Sequence, residues 1–325
     1  MLAYQKDKYM TLTLNKTACE IADLVTANAE QLRVDVSQVA GGGRVLDFGI
    51  AATGGLAAGK QLARLCMSGL GDVAIVPGDI DGIGWPHVFV ETDHPVAACL
   101  FSQYAGWQMS VDKFFAMGSG PIRAAAAKED LFDTLSYSEQ PDSCLGVLEG
   151  SAIPDAAVFE YIAERTGIPP ERTTLAIAPT SSQAGNLQVV ARSVETCLHK
   201  LFELSFDVTR IVSGCGSAPL SPVAADDLSG IGRTNDAILY GGRVTLMVRG
   251  DDASLADIGP KVPAVASESY GKPFLDIFEA AGRDFYAIDP HLFSPAEVVF
   301  QNIDTGRVFH FGKTAPDILR ESFGL

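Results

Sequence analysis

The sequence predicts an α/β fold. Segments with the period-2 or β-branched pattern of strands alternate along most of the chain with amphipathic helical segments. The chain has 325 residues, of which 47% are hydrophobic, so it can bury a large core. This length favours two domains. We expect the boundary near a polar, acidic segment, which gives residues 1–140 and 141–325, and interleaved domains are left open.

In the first half of the chain, residues 14–32 and 52–70 are predicted as helices, and the glycine turn GGG at 41–43 leads into a short strand. DVAIVPGDI at 72–80 and HVFVETD at 87–93 are predicted as strands, with a turn at Trp85-Pro86 between them. A helix is expected over 95–108, because Pro95 suits a first helical turn.

In the second half, strands are predicted at 144–150, 171–179, 209–214 and 238–250. Helices are predicted at 158–167, ending at Gly167, and from Ser181 to Lys200. Residues 298–311 read as a hairpin around Asp304-Thr305-Gly306. GIGRTND at 230–236 is expected to be a polar loop.

Two short segments resemble each other, SQYAGWQ at 102–108 and SQAGNLQ at 182–188. Each is expected to follow a strand and a polar turn and to precede a glycine-rich loop, GSGP (118–121) or GCGSAP (214–219). The similarity suggests an internal repeat of two related α/β halves, and chance is the competing explanation.

Composition excludes several classes of function. The net charge is −16, so long-range repulsion opposes binding to nucleic acid or to an anionic membrane. No apolar run reaches the roughly 18 residues of a membrane helix, and the first residues lack the apolar core of a signal peptide. Six widely spaced cysteines read as reduced thiols. We therefore expect a cytoplasmic protein.

Common catalytic motifs are absent. The sequence has no P-loop, no dinucleotide-binding glycine motif, no G-x-S-x-G and no histidine spacing typical of zinc, so no metal site is expected. Cys215 lies in a glycine-rich segment where a nucleophile can sit, but no histidine partner is evident, which favours a structural thiol.

The stretch SSQAGNLQVVARSVETCLHK carries an unusual set of polar residues. On a helical wheel, one side is apolar, and the other holds an amide, a guanidinium, a carboxylate and an imidazole, contributed by Gln188, Arg192, Glu195 and His199. The pattern alone favours an exposed ion pair between Arg192 and Glu195. The approach PTSSQAGN also suits an anion site at a helix N-terminus, and Ser181 or Ser182 equally suits a plain N-cap.

Several long blocks, in order, resemble the methenyltetrahydromethanopterin cyclohydrolase family. They are TDHPVAACLFSQYAGWQMSVDKFFAMGSGPIRAAA, APTSSQAGNLQVVARSVET, IVSGCGSAPLSP, TNDAILYGG, YGKPFLDIF and DFYAIDPHLFSPAEV. The resemblance covers roughly residues 14–311, nearly the whole chain.

This resemblance implies an enzyme of one-carbon metabolism. Family members reversibly hydrolyse 5,10-methenyltetrahydromethanopterin to the 5-formyl compound, without a metal or permanently bound cofactor. It also implies two similar α/β domains side by side with a pocket between them, and a homotrimer. The family's catalytic arginine and glutamate, three residues apart in the segment R-S-V-E-T, correspond to Arg192 and Glu195.

The remaining site assignments combine the resemblance with loop chemistry. We expect substrate contacts from the polar and small residues of the matching segments, namely Gln183, Ser119, Gly120, Ser213, Gly214 and Tyr104. Tyr104 stands where archaeal members carry a lysine, which suggests a bacterial, methylotroph-type enzyme of formaldehyde oxidation with a different cofactor tail. The alternatives are a methenyltetrahydrofolate cyclohydrolase, a pterin carrier without turnover, and a structural trimeric protein.

Overall fold

The computed structural model describes residues 12–284 and 287–325. This part of the chain alternates helices and strands, with one π-helix at Val96–Gln103. Its α-helices are α1 (Leu14–Ala27), α2 (Ala29–Leu32), α3 (Leu56–Cys66), α4 (Ile122–Ala126), α5 (Asp130–Thr134), α6 (Ala156–Thr166), α7 (Gln183–Val190), α8 (Ser193–Glu203), α9 (Asp227–Gly241), α10 (Asp252–Ile258), α11 (Phe274–Ala280) and α12 (Pro316–Phe323). Its strands are β1 (Asp35–Gln38), β2 (Arg44–Asp47), β3 (Asp72–Ile80), β4 (Ile83–Thr92), β5 (Trp107–Val111), β6 (Phe114–Ser119), β7 (Cys144–Glu149), β8 (Thr173–Ala178), β9 (Ile211–Pro219), β10 (Arg243–Val248), β11 (Glu297–Asn302) and β12 (Val308–Gly312).

The chain divides into two compact units whose segments interleave. Unit 1 contains the described part of Met1–Gly71 together with Ala97–Gln188, and unit 2 contains Asp72–Val96 together with Val189–Leu325. Residues 140 and 141 both lie inside unit 1. The compact units therefore divide the chain at other places. The expected domain boundary between residues 140 and 141 stays a prediction.

Unit 1 is a sheet whose central strands are covered by helices on both faces. The strand order is β1-β2-β8-β7-β6-β5, with β2, β8 and β7 parallel and the outer strands antiparallel. Leu46 and Val147 face α1 and α3 in one core, and Val45 and Leu148 face α4 and α6 in the other. Parallel strands buried on both faces are expected to be continuously apolar, and β8 is buried at every position.

Unit 2 contains a second six-stranded mixed sheet, ordered β12-β11-β10-β9-β4-β3. Among its strands, β10 and β11 pair in parallel, and the other neighbours pair antiparallel. In each unit, two consecutive antiparallel strands form each edge of the sheet. The α/β class and the expectation of two similar α/β parts are confirmed.

The short internal repeat does not correspond to matching local structures. Residues 102–108 cover the end of the π-helix and the start of β5, whereas residues 182–188 begin an α-helix. The two sheets share their six strands and their antiparallel edge pairs, and the repeated letters do not mark equivalent positions in them.

Some predicted elements are confirmed, including β3 over 72–80, the hairpin of β11 and β12, and the end of α6 at Gly167, which adopts φ 73°. Others are wrong. Trp85-Pro86 lies inside β4, with Pro86 paired to Pro77, because the reversal occurs at Asp81-Gly82, where both residues have positive φ. The predicted loop GIGRTND lies within α9, since Asp226 caps that helix by accepting the N–H of Ser229.

Candidate active site

The stretch Ser181–Lys200 forms two helices, where the sequence predicts one. α7 ends at Val190 and α8 begins at Ser193, with Arg192 as the N-cap residue of α8 at φ −92° and ψ 11°. Glu195 lies in the first turn of α8. A carboxylate there is stabilised by the positive end of the helix dipole. The break thus places an arginine and a glutamate at the N-cap and in the first turn of one helix.

Both side chains are buried, and this overturns the interpretation of an exposed ion pair. Arg192 is 5% exposed and Glu195 is 4% exposed. Buried ionisable side chains are rare without charged or polar partners, and they concentrate at functional sites. The helical wheel assigned the polar side to solvent, whereas the structure buries it. His199, one turn further, keeps 18% of its side chain exposed and approaches Glu203 at 3.5 Å (Nε2 to Oε1).

The segment GCGSAP, expected to be a ligand-binding loop, belongs to strand β9, so that expectation is wrong. A Cβ atom at Gly216 would lie 2.7 Å from Ser193 Oγ, and one at Gly214 would lie 3.1 Å from Val194 Cγ1. The absence of side chains therefore lets α8 pack directly on β9. These glycines position the helix that carries Glu195, and a ligand contact of Gly214 stays a prediction.

Ser213 projects from the opposite face of β9, because successive strand residues alternate. Its hydroxyl donates to Asp93 Oδ1 at 2.7 Å in an exposed position. Cys215 points to the same side and is half-buried, and burial raises the pKa of its thiol. A neutral, partly buried thiol agrees with the structural role expected from the sequence.

The other predicted loop, GSGP, is also wrong in its first half, because Ser119 ends strand β6. Ser119 is fully buried, and its hydroxyl donates to Val147 O at 3.1 Å. Gly120 adopts φ +86° and donates its N–H to Ser102 O at 2.8 Å. The positive φ explains this glycine without a ligand. Substrate contacts of Ser119 and Gly120 stay predictions, and the burial of the Ser119 hydroxyl does not favour one.

Tyr104 is half-buried and lies against a buried cation. The Arg123 guanidinium carbon is 4.9 Å from the centre of the Tyr104 ring. Arg123, 1% exposed, pairs with Glu129 and donates to the carbonyls of Leu100 and Ser102 at 3.0 and 3.2 Å. The ring of Tyr104 thus packs on the guanidinium of Arg123.

Gln183 is the exposed first residue of α7. Ser182 caps this helix, because its hydroxyl oxygen accepts the N–H of Gly185 at 3.0 Å and its O–H donates to Pro179 O at 2.8 Å. The N-cap interpretation is therefore confirmed for Ser182. A substrate contact of Gln183 stays a prediction.

Two carboxylates at the carboxyl ends of unit 1 strands were not predicted from the sequence. Glu149 ends β7 and accepts the side-chain N–H of Gln188 at 3.2 Å. Asp47 ends β2, is 4% exposed, and accepts four backbone N–H groups of residues 49–52 at 2.7–3.0 Å. Ligands of open α/β sheets bind at this edge. The sequence pattern that could have predicted both residues is an acidic residue directly after an apolar strand, in VLDFG and GVLEG.

Two further buried ionisable groups lie in unit 2. Lys200 of α8 is 1% exposed, donates to the carbonyl of His291, and has a pKa that burial lowers to about 8. Asp236 of α9 is 1% exposed, and burial raises its pKa to about 7. Its carboxylate accepts the Phe274 N–H at 2.7 Å and the Ser322 O–H at 2.6 Å. It thereby joins α9 to α11 and α12.

No group of three or more His, Cys, Asp or Glu side chains able to hold a metal ion occurs in residues 12–284 and 287–325. Within the same ranges, none of the helices has the length and apolar character that a membrane crossing requires.

Comparison with known proteins gives a consistent result. A family model described as Cyclohydrolase (MCH) matches residues 13–323. A methenyltetrahydromethanopterin cyclohydrolase of Rhodopirellula baltica is 48% identical over 289 residues, 87% of each chain. The chain belongs to this cyclohydrolase family.

Other relatives extend the match to nearly full length. A methenyltetrahydromethanopterin cyclohydrolase of Methylobacillus flagellatus is 42% identical over 313 residues, 96% of this chain and 95% of its own. One of Methanosarcina mazei is 39% identical over 317 residues, 97% of this chain and 99% of its own. The family that the sequence resembles is therefore confirmed.

Proposed function

We propose that the chain reversibly hydrolyses 5,10-methenyltetrahydromethanopterin to 5-formyltetrahydromethanopterin. Membership of the family and relatives with this name over nearly the whole length support the reaction. The observation that carries the proposal is the burial of Arg192 and Glu195 at the start of α8, since buried ionisable side chains concentrate at functional sites.

The reaction needs a base, an acid and a positioned water. The methenyl carbon lies between two nitrogens that share a positive charge, so it is already electrophilic. Glu195 takes a proton from the attacking water and delivers it to N10 as the C–N10 bond breaks, leaving the formyl group on N5. The second proton of the water leaves to solvent as the carbonyl of the formyl group forms, so the cation and water give the neutral formyl compound and one released proton. In the reverse direction the same carboxylate takes the N10 proton and returns it to the departing water.

Arg192 holds the water or the developing oxygen in line with the carbon. A buried guanidinium with fixed donors stabilises negative charge as it develops on that oxygen. The position of Arg192 at the N-cap of α8 fixes it relative to Glu195, one helical turn away. Holding reacting groups in place supplies part of the rate enhancement.

The pterin itself is the proposed substrate, and no permanently bound cofactor is required by this chemistry. Among the sequence-predicted contacts, Tyr104 and Gln183 have exposed or partly exposed side chains, and Ser213 is half-buried beside Asp93. We also infer a homotrimer from the family resemblance and a cytoplasmic location from the composition of the chain. Light scattering of the purified protein measures the oligomeric state.

The test of the proposal is turnover of defined substrates. Purified protein is mixed with methenyltetrahydromethanopterin or methenyltetrahydrofolate, and loss of the methenyl absorbance is followed. The proposal predicts fast hydrolysis of the first compound, with kcat/KM far above that for the second. Preference for the folate supports the alternative cyclohydrolase, and tight binding without hydrolysis supports a carrier.

A variant tests whether Arg192 acts through its guanidinium donors or through its positive charge alone. Arg192→Lys keeps a cation but loses the planar guanidinium with its fixed donors. We expect kcat to fall on the order of a hundredfold, the size measured for loss of one oxyanion donor in other enzymes. Arg243→Lys, at an exposed position of unit 2 paired with Glu297, is the matched control and should leave kcat unchanged.

A further inference from the structure

One face of the unit 1 sheet carries an uncovered row of side chains. Gln108, Met117 and Glu149 are paired across β5, β6 and β7, so their side chains share one face. Ser110 and Phe115 form the next pair on that face. All five are exposed or half-buried, and Phe115 is 54% exposed. We call these five residues the platform.

The platform differs from the rest of the sheet. On the opposite face of the same strands, Met109, Ala116 and Leu148 are fully buried. Further along β7 on the platform's own face, Val147 is also fully buried in the core formed with α1 and α3. The helices therefore cover the neighbouring surface and leave the platform open.

The chemistry of the platform is that of a ring-binding site. Phe115 and Met117 supply an aromatic ring and a polarisable thioether, both of which pack well on aromatic rings. Polar groups surround them, with the amide of Gln108, the hydroxyl of Ser110 and the carboxylate of Glu149. With strands about 4.8 Å apart and rows about 7 Å apart, the platform measures roughly 10 by 7 Å, close to the footprint of a fused two-ring system.

The negative charge of the platform indicates which ligand it binds. The methenyl substrate is a cationic ring compound, and the platform's ionisable group is the carboxylate of Glu149. Gln188, which is 1% exposed, donates to this carboxylate at 3.2 Å and holds it at the end of β7. An apolar floor bordered by a fixed carboxylate is complementary to a flat cation.

We propose that Phe115 and Met117 form the floor on which the aromatic part of the cationic pterin binds. This assignment rests on the proposed function and deepens it by naming the surface that recognises the ring. Phe115 contributes by stacking, and Met117 contributes by contact with its thioether. Neither takes part in proton transfer, so both affect binding more than the chemical step.

The test measures binding in a background without turnover. Glu195→Gln is the parent, and methenyltetrahydromethanopterin is titrated into it by calorimetry. Phe115→Ala should raise Kd roughly tenfold, the scale of one lost aromatic contact. Phe115→Tyr keeps the ring and should stay within about twofold of the parent, and Phe115→Leu should fall between them. Val308→Ala removes a 63% exposed side chain of unit 2 and is the control.

Kinetics with an intact Glu195 provide the second measurement. Phe115→Ala and Met117→Ala should raise KM while kcat stays within about twofold. Unchanged Kd and KM in Phe115→Ala would overturn the proposal while leaving the proposed function intact. A lower oligomer mass with unchanged Kd would show that the platform is a subunit contact instead. If the parent does not bind the pterin and the wild type does not hydrolyse it, both the platform and the proposed function are overturned.

Discussion

Replacing Gly216 by alanine tests whether the packing of α8 on β9 sets the activity. The new Cβ would lie 2.7 Å from Ser193 Oγ, 3.0 Å from Val244 Cγ2 and 3.2 Å from Val194 Cγ2. Ordinary contacts begin near 3.4 Å, so the Ser193 hydroxyl must give way by about 0.7 Å and the Val244 and Val194 methyl groups by about 0.4 and 0.2 Å, which shifts the amino end of α8. That movement displaces the turn that carries Arg192 and Glu195.

The displacement predicts two measurable losses. Overpacking of this size costs about 1–3 kcal/mol in the free energy of unfolding, measured by urea denaturation. Because misplacement by about 1 Å can cost on the order of a hundredfold in rate, we expect kcat to fall roughly ten- to a hundredfold. Gly84→Ala is the control, since a Cβ at that position of β4, in the same sheet, meets nothing within 4 Å.

A second substitution checks the cause. Ser193 Oγ is buried and has no hydrogen-bond partner among the described residues, so Ser193→Ala should cost little by itself. Combined with Gly216→Ala, it removes the shortest contact and should restore part of both the stability and kcat. If Gly216→Ala behaves like Gly84→Ala, or if Ser193→Ala gives no rescue, the packing argument is refuted.

Three further predictions concern ionisable side chains of unit 2. Burial raises the pKa of Asp236 to about 7 from 3.8, so folding stability should fall as pH rises from about 4 to 7. Asp236→Asn, whose amide oxygen accepts the Phe274 N–H and whose amide N–H donates to the Ser322 hydroxyl in place of the bond it now accepts, should flatten this dependence in urea titrations. Burial lowers the pKa of Lys200 to about 8 from 10.5, so stability should rise between about pH 8 and 10, and Lys200→Met should abolish that rise. Cys215→Ser should leave kcat and KM within about twofold, and a large loss of kcat would restore the nucleophile interpretation.

Local signals were sufficient for much of the fold. β3, the final hairpin and the end of α6 at Gly167 follow from strand patterns and turn residues within a few positions of each element. β4 was predicted too short because Trp85-Pro86 resembled a turn. Pro77 and Pro86 sit opposite each other in the β3–β4 pair, and the reversal needs only Asp81 and Gly82 at positive φ.

The glycine-rich segments were mistaken for loops because the reason for their glycines lies far away in the sequence. Gly214 and Gly216 are strand residues whose missing side chains admit Val194 and Ser193 of α8. Nothing within a few residues of β9 reveals that helix. Close helix–sheet packing and close ligand approach therefore leave the same pattern of small residues in a sequence.

The candidate site depended on similarity more than on pattern. The polar side of the predicted helix indicated an exposed ion pair, whereas Arg192 and Glu195 are buried where α7 ends and α8 begins. A helical wheel assumes one uninterrupted helix and solvent on its polar side, and both assumptions are wrong here. Glu149 had a usable signal, an acidic residue at the end of a buried strand, which becomes informative once the parallel order of β8 and β7 is known.

The most direct test of the central claim is the rate of methenyltetrahydromethanopterin hydrolysis by Glu195→Gln. Glu203→Gln, at the exposed end of the same helix, is the matched control. Loss of a general acid–base group predicts a fall in kcat of at least roughly a hundredfold for Glu195→Gln, with Glu203→Gln close to wild type. Hydrolysis by Glu195→Gln within about twofold of wild type would contradict the assignment of Glu195 as the proton-transfer group.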